Sequence, residues 1–155
     1  MKKWIITVIL AIATALSSLA KEKAYFKEIS TLPAVNYTYI SPSMLSSMGD
    51  RSINTKAFSI SATQLHSVEI VQTFGAEQSA QKALETVKKV IKKEKLQTLA
   101  TKSAPDGSTM TIMGKQKKKK NTVTQLLHIE SLKGGSTAVT YITGNITLNY
   151  SDFNY

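Results

Sequence analysis

The spacing of apolar residues changes period several times along the chain, and each change marks an element. Tyr25, Phe26, Ile29 and Leu32 recur at helical spacing, which predicts a short amphipathic helix over 21–32. Pro33 ends it, because proline disfavours helix at the residue before it. Val35 to Ile40 alternates with period two and is rich in β-branched and aromatic residues, the pattern of a strand. Ser41-Pro42 reads as an N-cap serine with proline at the first helical position, opening a short helix through Met44, Leu45 and Met48 that stops at Gly49. Residues 50–63 are polar and aperiodic, and are expected to form a loop. His66 to Phe74 is a second strand, with Val68 and Ile70 on one face and Glu69, Val71 and Thr73 on the other.

The longest periodic run, 76–96, places Ala80, Leu84, Val87 and Ile91 in one apolar stripe, widened by Ala83 and Val90. This stripe is expected to face a core, with a strand beginning at about Leu96. Pro105-Asp106-Gly107 and Lys133-Gly134-Gly135 are turn signals, and they separate strands over 109–114, 122–132 and 137–148. Gly144 marks a bulge within the last of these. Helices come early and consecutive strands late, so the expected class is α+β, a single antiparallel sheet of about four to six strands with helices packed on one face.

The start of the chain follows a different logic. Lys2 and Lys3 precede the uncharged, mostly apolar stretch Trp4–Leu16, and Ser18 and Ala20 are small residues at the two positions a signal peptidase inspects. Residues 1–20 therefore read as a secretory signal peptide cleaved between Ala20 and Lys21. The stretch is shorter than the about 20 residues a membrane-spanning helix needs. Removing 20 of 155 residues leaves 135, enough for one domain over 21–155. The chain contains no cysteine, which excludes disulfides, thiolate metal sites and a lipid anchor on cysteine. Export without disulfides suits a bacterial periplasm or secreted pool.

Charge is the clearest compositional signal. There are 20 Lys+Arg against 10 Asp+Glu, and loss of Lys2 and Lys3 leaves 18 against 10, a net of about +8. Lys115 and Lys117, Lys118, Lys119 and Lys120 surround one predicted hairpin loop. A second basic face on the long helix includes Lys88, Lys92 and Lys95. Such groups attract phosphate-rich partners, although lysines on a turn and an outer helix face also simply keep a small domain solvated. One arginine, and no aromatic residue between Phe74 and Tyr141, disfavours nucleic acid, whose recognition uses guanidinium forks and stacking rings.

Nothing points to catalysis or a cofactor. His66 and His128 have no neighbouring ligand at metal-binding spacing, and Glu130 shares a strand face with His128, which reads as a sheet-surface pair or a partly buried imidazole. The chain has no Gly-x-Ser-x-Gly elbow, and Gly134-Gly135 lies in a turn rather than before a helix. Tyr141, Tyr150, Phe153 and Tyr155 gather near the C-terminus, more in keeping with a core-closing tail than with an exposed patch.

Three segments together are similar to a known family. Val35 to Leu45, reading Val-Asn-Tyr-Thr-Tyr-Ile-Ser-Pro-Ser-Met-Leu, resembles its strand and Ile-Ser-x-x-Met-Leu helix start. The His66–Phe74 strand leads into a Lys-rich helix, and Gln125–Glu130 with Ile142–Leu148 resembles a closing hairpin with an Ile-x-Gly-x-Ile pattern. The family is the small exported proteins of the Bacteroides group called domain of unknown function 4252. The resemblance covers most of 22–150 and implies an exported or envelope protein with no catalytic residues to carry across. One position departs: the acidic residue that often opens the Thr122–Leu132 strand is replaced here by Thr124 or Gln125.

The expected function is a non-enzymatic interaction module of the envelope or secreted pool, with an unknown protein partner. Two alternatives stand beside it. One is a module that binds an anionic lipid or polymer surface through Lys88, Lys92, Lys95 and Lys117–Lys120; the other is an enzyme with an unrecognised site.

Overall fold

The structure, a computed structural model, describes residues 24–54, 59–117 and 122–148. Its centre is a six-stranded antiparallel sheet. The strands are β1 (Val35–Ile40), β4 (Leu65–Thr73), β5 (Gln97–Ser103), β6 (Thr109–Gln116), β7 (Thr122–Ser131) and β8 (Thr137–Thr147). They lie in the order β1-β4-β8-β7-β6-β5. The intervening β2 (Ser52–Asn54) and β3 (Ser59–Ser61) pair only with each other, Ile53 opposite Ile60. Among the described residues two α-helices accompany the sheet, α1 (Pro42–Met48) and α2 (Glu77–Glu94), with a 3-10 turn at Lys27–Thr31.

The expected sheet and its strands are present, and three expectations change. Residues 50–63, read as a loop, contain β2, β3 and a short 3-10 turn at Ala62–Gln64. The described part of 21–32 forms one 3-10 turn, at Lys27–Thr31, in place of a helix; the backbone N–H groups of Tyr25 and Phe26 are given to Glu69 just before it, and Pro33 follows just after it.

Helices also cover both faces of the sheet instead of one. Strand side chains alternate, so neighbours in sequence feed different cores. Val68, Ile112, Leu126 and Ile142 join Leu45 of α1 and Ile60 of β3 in one buried cluster. Val71, Leu127, Val139 and Tyr141 join Phe26, Ile29, Ala83, Val87 and Val90 in the other. The predicted stripe of α2 therefore does face a core, with Leu84 and Ile91 half-buried at its margins.

Local chemistry sets the helix ends. Ser41 Oγ accepts from the Met44 N–H at 3.3 Å, with Pro42 at the first turn, as the capping pattern requires. Lys95 closes α2 in the left-handed region at φ 56°, and the Leu96 N–H returns to the Ile91 carbonyl at 3.1 Å.

Gly144 is required by crowding. The register of β8 slips beside it against both β4 and β7, consistent with the bulge expected there. A Cβ at this position would lie 2.2 Å from the Gln64 carbonyl oxygen and 2.9 Å from Leu65 Cα, both of them backbone atoms. At Gly114 the tightest contact would be the tip of Leu99, a side chain that can rotate away. Gly144→Ala is therefore expected to cost on the order of 3 kcal/mol and Gly114→Ala about 1 kcal/mol. In thermal unfolding this corresponds to a loss of roughly 10 °C against about 3 °C. Equal shifts for the two variants would refute the crowding argument.

Candidate functional site

Antiparallel connection brings distant lysines to one end of the sheet. β5 begins directly after α2, and Gln97 pairs with Gly114 while Lys115 pairs with Gln125. The last turn of α2 and the β6–β7 hairpin thus lie side by side. Lys115 Nζ stands 3.6 Å from Glu94 Oε2, a direct bridge between the two basic stretches. Lys88, Lys92 and Lys95 are exposed on or just beyond α2, and exposed Lys117 donates to Asn145 Oδ1 at 3.1 Å. Lys118, Lys119 and Lys120, and the cleavage pair Ala20 and Lys21, lie outside the described residues.

Behind this end sits a polar cluster that the sequence did not announce. Glu94 accepts from the Tyr25 hydroxyl and, at 2.9 Å, from Gln125 Nε2. These donors, with Lys115 nearby, hold its carboxyl below the usual range. Burial together with Glu94 pushes the Tyr25 hydroxyl up to about 12. The Tyr25 ring meets Tyr141 edge-on at 5.5 Å, and Lys93 Nζ lies 5.3 Å from its centroid. Tyr141 is buried, and its hydroxyl and Gln125 Oε1 have no hydrogen-bond partner among the described residues. Its three aromatic companions in the C-terminal group, Tyr150, Phe153 and Tyr155, lie outside the described residues.

Glu69 anchors the segment that carries Tyr25. It is only 2% exposed, and it accepts from Tyr25 N at 2.8 Å, Phe26 N at 2.9 Å and the Tyr37 hydroxyl at 3.0 Å. Residues 24–32 thereby form a strap over the α2 face of the sheet. Between strap and helix runs an open groove of roughly 460 Å³, lined by Ala24, Tyr25, Glu28, Thr86, Lys89, Val90 and Lys93. At the opposite end of the sheet, Phe74 and Leu132 are exposed beside the start of β8. His66 is exposed and His128 buried, on strands separated by β8. No group of three or more potential metal ligands occurs among the described residues, and no described helix is long and apolar enough to cross a membrane.

Burial raises the Glu69 pKa, partly opposed by its three donors. The folded state therefore holds this proton to a higher pH than the unfolded chain does. Its contribution is full below the unfolded value and is lost as pH rises through the folded value. Glu94 acts in the opposite sense, contributing above its unfolded value and losing that contribution as pH falls. Glu69→Gln is expected to remove the first component, so that the melting temperature gains less than in the parent between pH 7 and pH 5. Identical pH profiles for the two proteins would show that Glu69 keeps its ordinary titration when folded.

No curated protein and no solved structure matches this chain. Residues 26–151 match the domain of unknown function DUF4252, a span that takes in Glu69, Glu94 and the lysine-bearing end and begins one residue after Tyr25. With most of its length matched, the chain belongs to the DUF4252 family.

Proposed function

We propose that this chain is an exported, non-enzymatic module of the cell envelope that acts by contact, and that its lysine-bearing end binds anionic surfaces. The observation that carries the reading is the Lys115–Glu94 bridge. Lysines about twenty residues apart in sequence become one patch at the junction of α2 with the β6–β7 hairpin. A lysine near an anionic surface contributes about 1 kcal/mol, so several acting together give useful affinity where one does not. Lys92 and Lys93 also suit their places in the last turn of α2, where the helix dipole favours cations. The dipole explains their tolerance there, but it does not reach Lys117 on the neighbouring hairpin. The non-enzymatic part of the reading is supported by the carboxylates: Glu69 and Glu94 are both engaged by internal donors, which ties them to the fold.

The test uses the chain from Lys21 onward with vesicles containing phosphatidylserine or phosphatidylglycerol. Binding is expected to weaken steeply as salt rises and to vanish on zwitterionic vesicles. The triple variant Lys88→Gln, Lys92→Gln, Lys117→Gln is expected to lose about 100-fold in affinity at low salt, from about 1 kcal/mol per lysine. The charge-matched variant Lys82→Gln, Lys102→Gln, Lys133→Gln serves as control and is expected to lose far less. Salt-insensitive binding, or equal losses in the two variants, would overturn the proposed surface.

A further inference from the structure

The strap runs antiparallel to α2. Its first ring, Tyr25, touches Glu94 and Lys93 in the last turns of the helix. Its far end meets the first turn, where Ser79 Oγ donates to the Pro33 carbonyl at 2.8 Å. The described chain thus begins, at Ala24, beside Lys89, Val90 and Lys93, on the C-terminal half of α2 and toward the lysine-bearing end.

This starting point is held firmly. Glu69 takes two successive backbone N–H groups through its two oxygens, Tyr25 packs against Tyr141, and Phe26 is fully buried against the same ring at 6.4 Å. Upstream, Lys21, Glu22 and Lys23 alone separate Ala24 from Ala20, the last residue of the segment 1–20 that carries the apolar stretch Trp4–Leu16. Four residues span at most about 14 Å when fully extended. That is less than two screening lengths at physiological salt, at roughly 8 Å each.

We infer that whenever residues 1–20 occupy the bilayer, before cleavage or without it, this short tether turns the lysine-bearing end of the domain toward the membrane. The surface contacted is then the anionic lipid headgroup layer around the inserted segment. Lys89, Lys92, Lys93, Lys95, Lys115 and Lys117 face it, and Phe74, Leu132 and Lys133 face away. An inserted apolar segment and a basic patch together supply the two contributions that stable membrane attachment requires. The inference rests on the contact surface proposed above and adds its orientation and the lipid identity of its partner.

The absence of cysteine makes the orientation measurable with single labels. The full chain, with residues 1–20 intact, is reconstituted in lipid nanodiscs carrying a headgroup-attached nitroxide. A fluorophore is placed through Lys92→Cys or Gln116→Cys at the lysine-bearing end, or through Gln78→Cys or Lys133→Cys at the other. All four positions are exposed, so folding is not at stake. Quenching at least threefold stronger for Lys92→Cys and Gln116→Cys is expected, in zwitterionic as well as anionic discs. Equal quenching at both ends, or stronger quenching at the far end, would overturn the inference. Orientation seen in anionic discs and lost in zwitterionic ones would also overturn it, because the lysines alone would then orient the domain. The proposed contact surface would survive that result. Failure of the Lys21–Tyr155 chain to bind anionic vesicles would remove the contact surface while leaving the tether geometry intact.

Discussion

The carboxylate of Glu69 is the interaction from which the organisation of the α2 face follows. A carboxyl buried in the middle of a sheet is costly unless its oxygens are satisfied. No strand ladder can supply that, because ladder N–H groups lie in the plane of the sheet while the Glu69 side chain stands off its face. The donors come instead from Tyr37 on β1 and from two consecutive amides outside the sheet. Meeting this demand draws residues 24–32 across the sheet. Phe26 then fills the core against Tyr141, and Tyr25 reaches the end of α2. Without the carboxylate these two amides would lose their acceptors, and the wall of the groove beside Lys89 and Lys93 would rest on the packing of Phe26 and Ile29 and on the Tyr25–Glu94 and Ser79–Pro33 hydrogen bonds alone.

Much of this architecture was legible, for reasons particular residues make plain. Alternation in Val35–Ile40 and His66–Phe74, the helical stripe on 76–96 and the glycine turns near 107 and 134 all use local rules, and the corresponding elements are present. The two-sided covering of the sheet was also written in the chain, in the adjacent apolar pairs Leu126-Leu127 and Tyr141-Ile142. Such pairs require both faces to be buried, as in strands sandwiched between layers. The order of helices and strands says nothing about which face a helix covers, and for this reason the one-face expectation failed.

Other features were illegible because their causes are distant. β2 and β3 are three residues each, too short for a period to appear around Ile53 and Ile60. The helical spacing of Tyr25, Phe26, Ile29 and Leu32 was genuine, but the decisive partner of this segment lies more than forty residues away. One clue was available: Glu69 shares a strand face with Val71, and a carboxylate on a core-facing position has to find donors. The lysines were visible one by one, whereas their union depends on the path of β5 and β6 after α2.

Glu94 shows how the anchor and the basic end belong to one mechanical unit. A carboxylate in the last turn of a helix opposes the helix dipole, at a cost typically of 0.3–1 kcal/mol at an exposed site and roughly the same scale here. Tyr25, Gln125 and Lys115 more than compensate for it, since hydrogen bonds to a charged acceptor are about twice as strong as neutral ones. These three partners come from the strap, β7 and β6, so a single carboxylate ties the beginning of the described chain, the end of the long helix and the hairpin into one support. Lysines on mobile loops would lose much of their electrostatic gain to the entropy of being gathered on a surface. Lysines mounted on this junction are already gathered. The arrangement that satisfies a buried carboxylate in mid-sheet therefore also fixes where the charge of the protein is displayed.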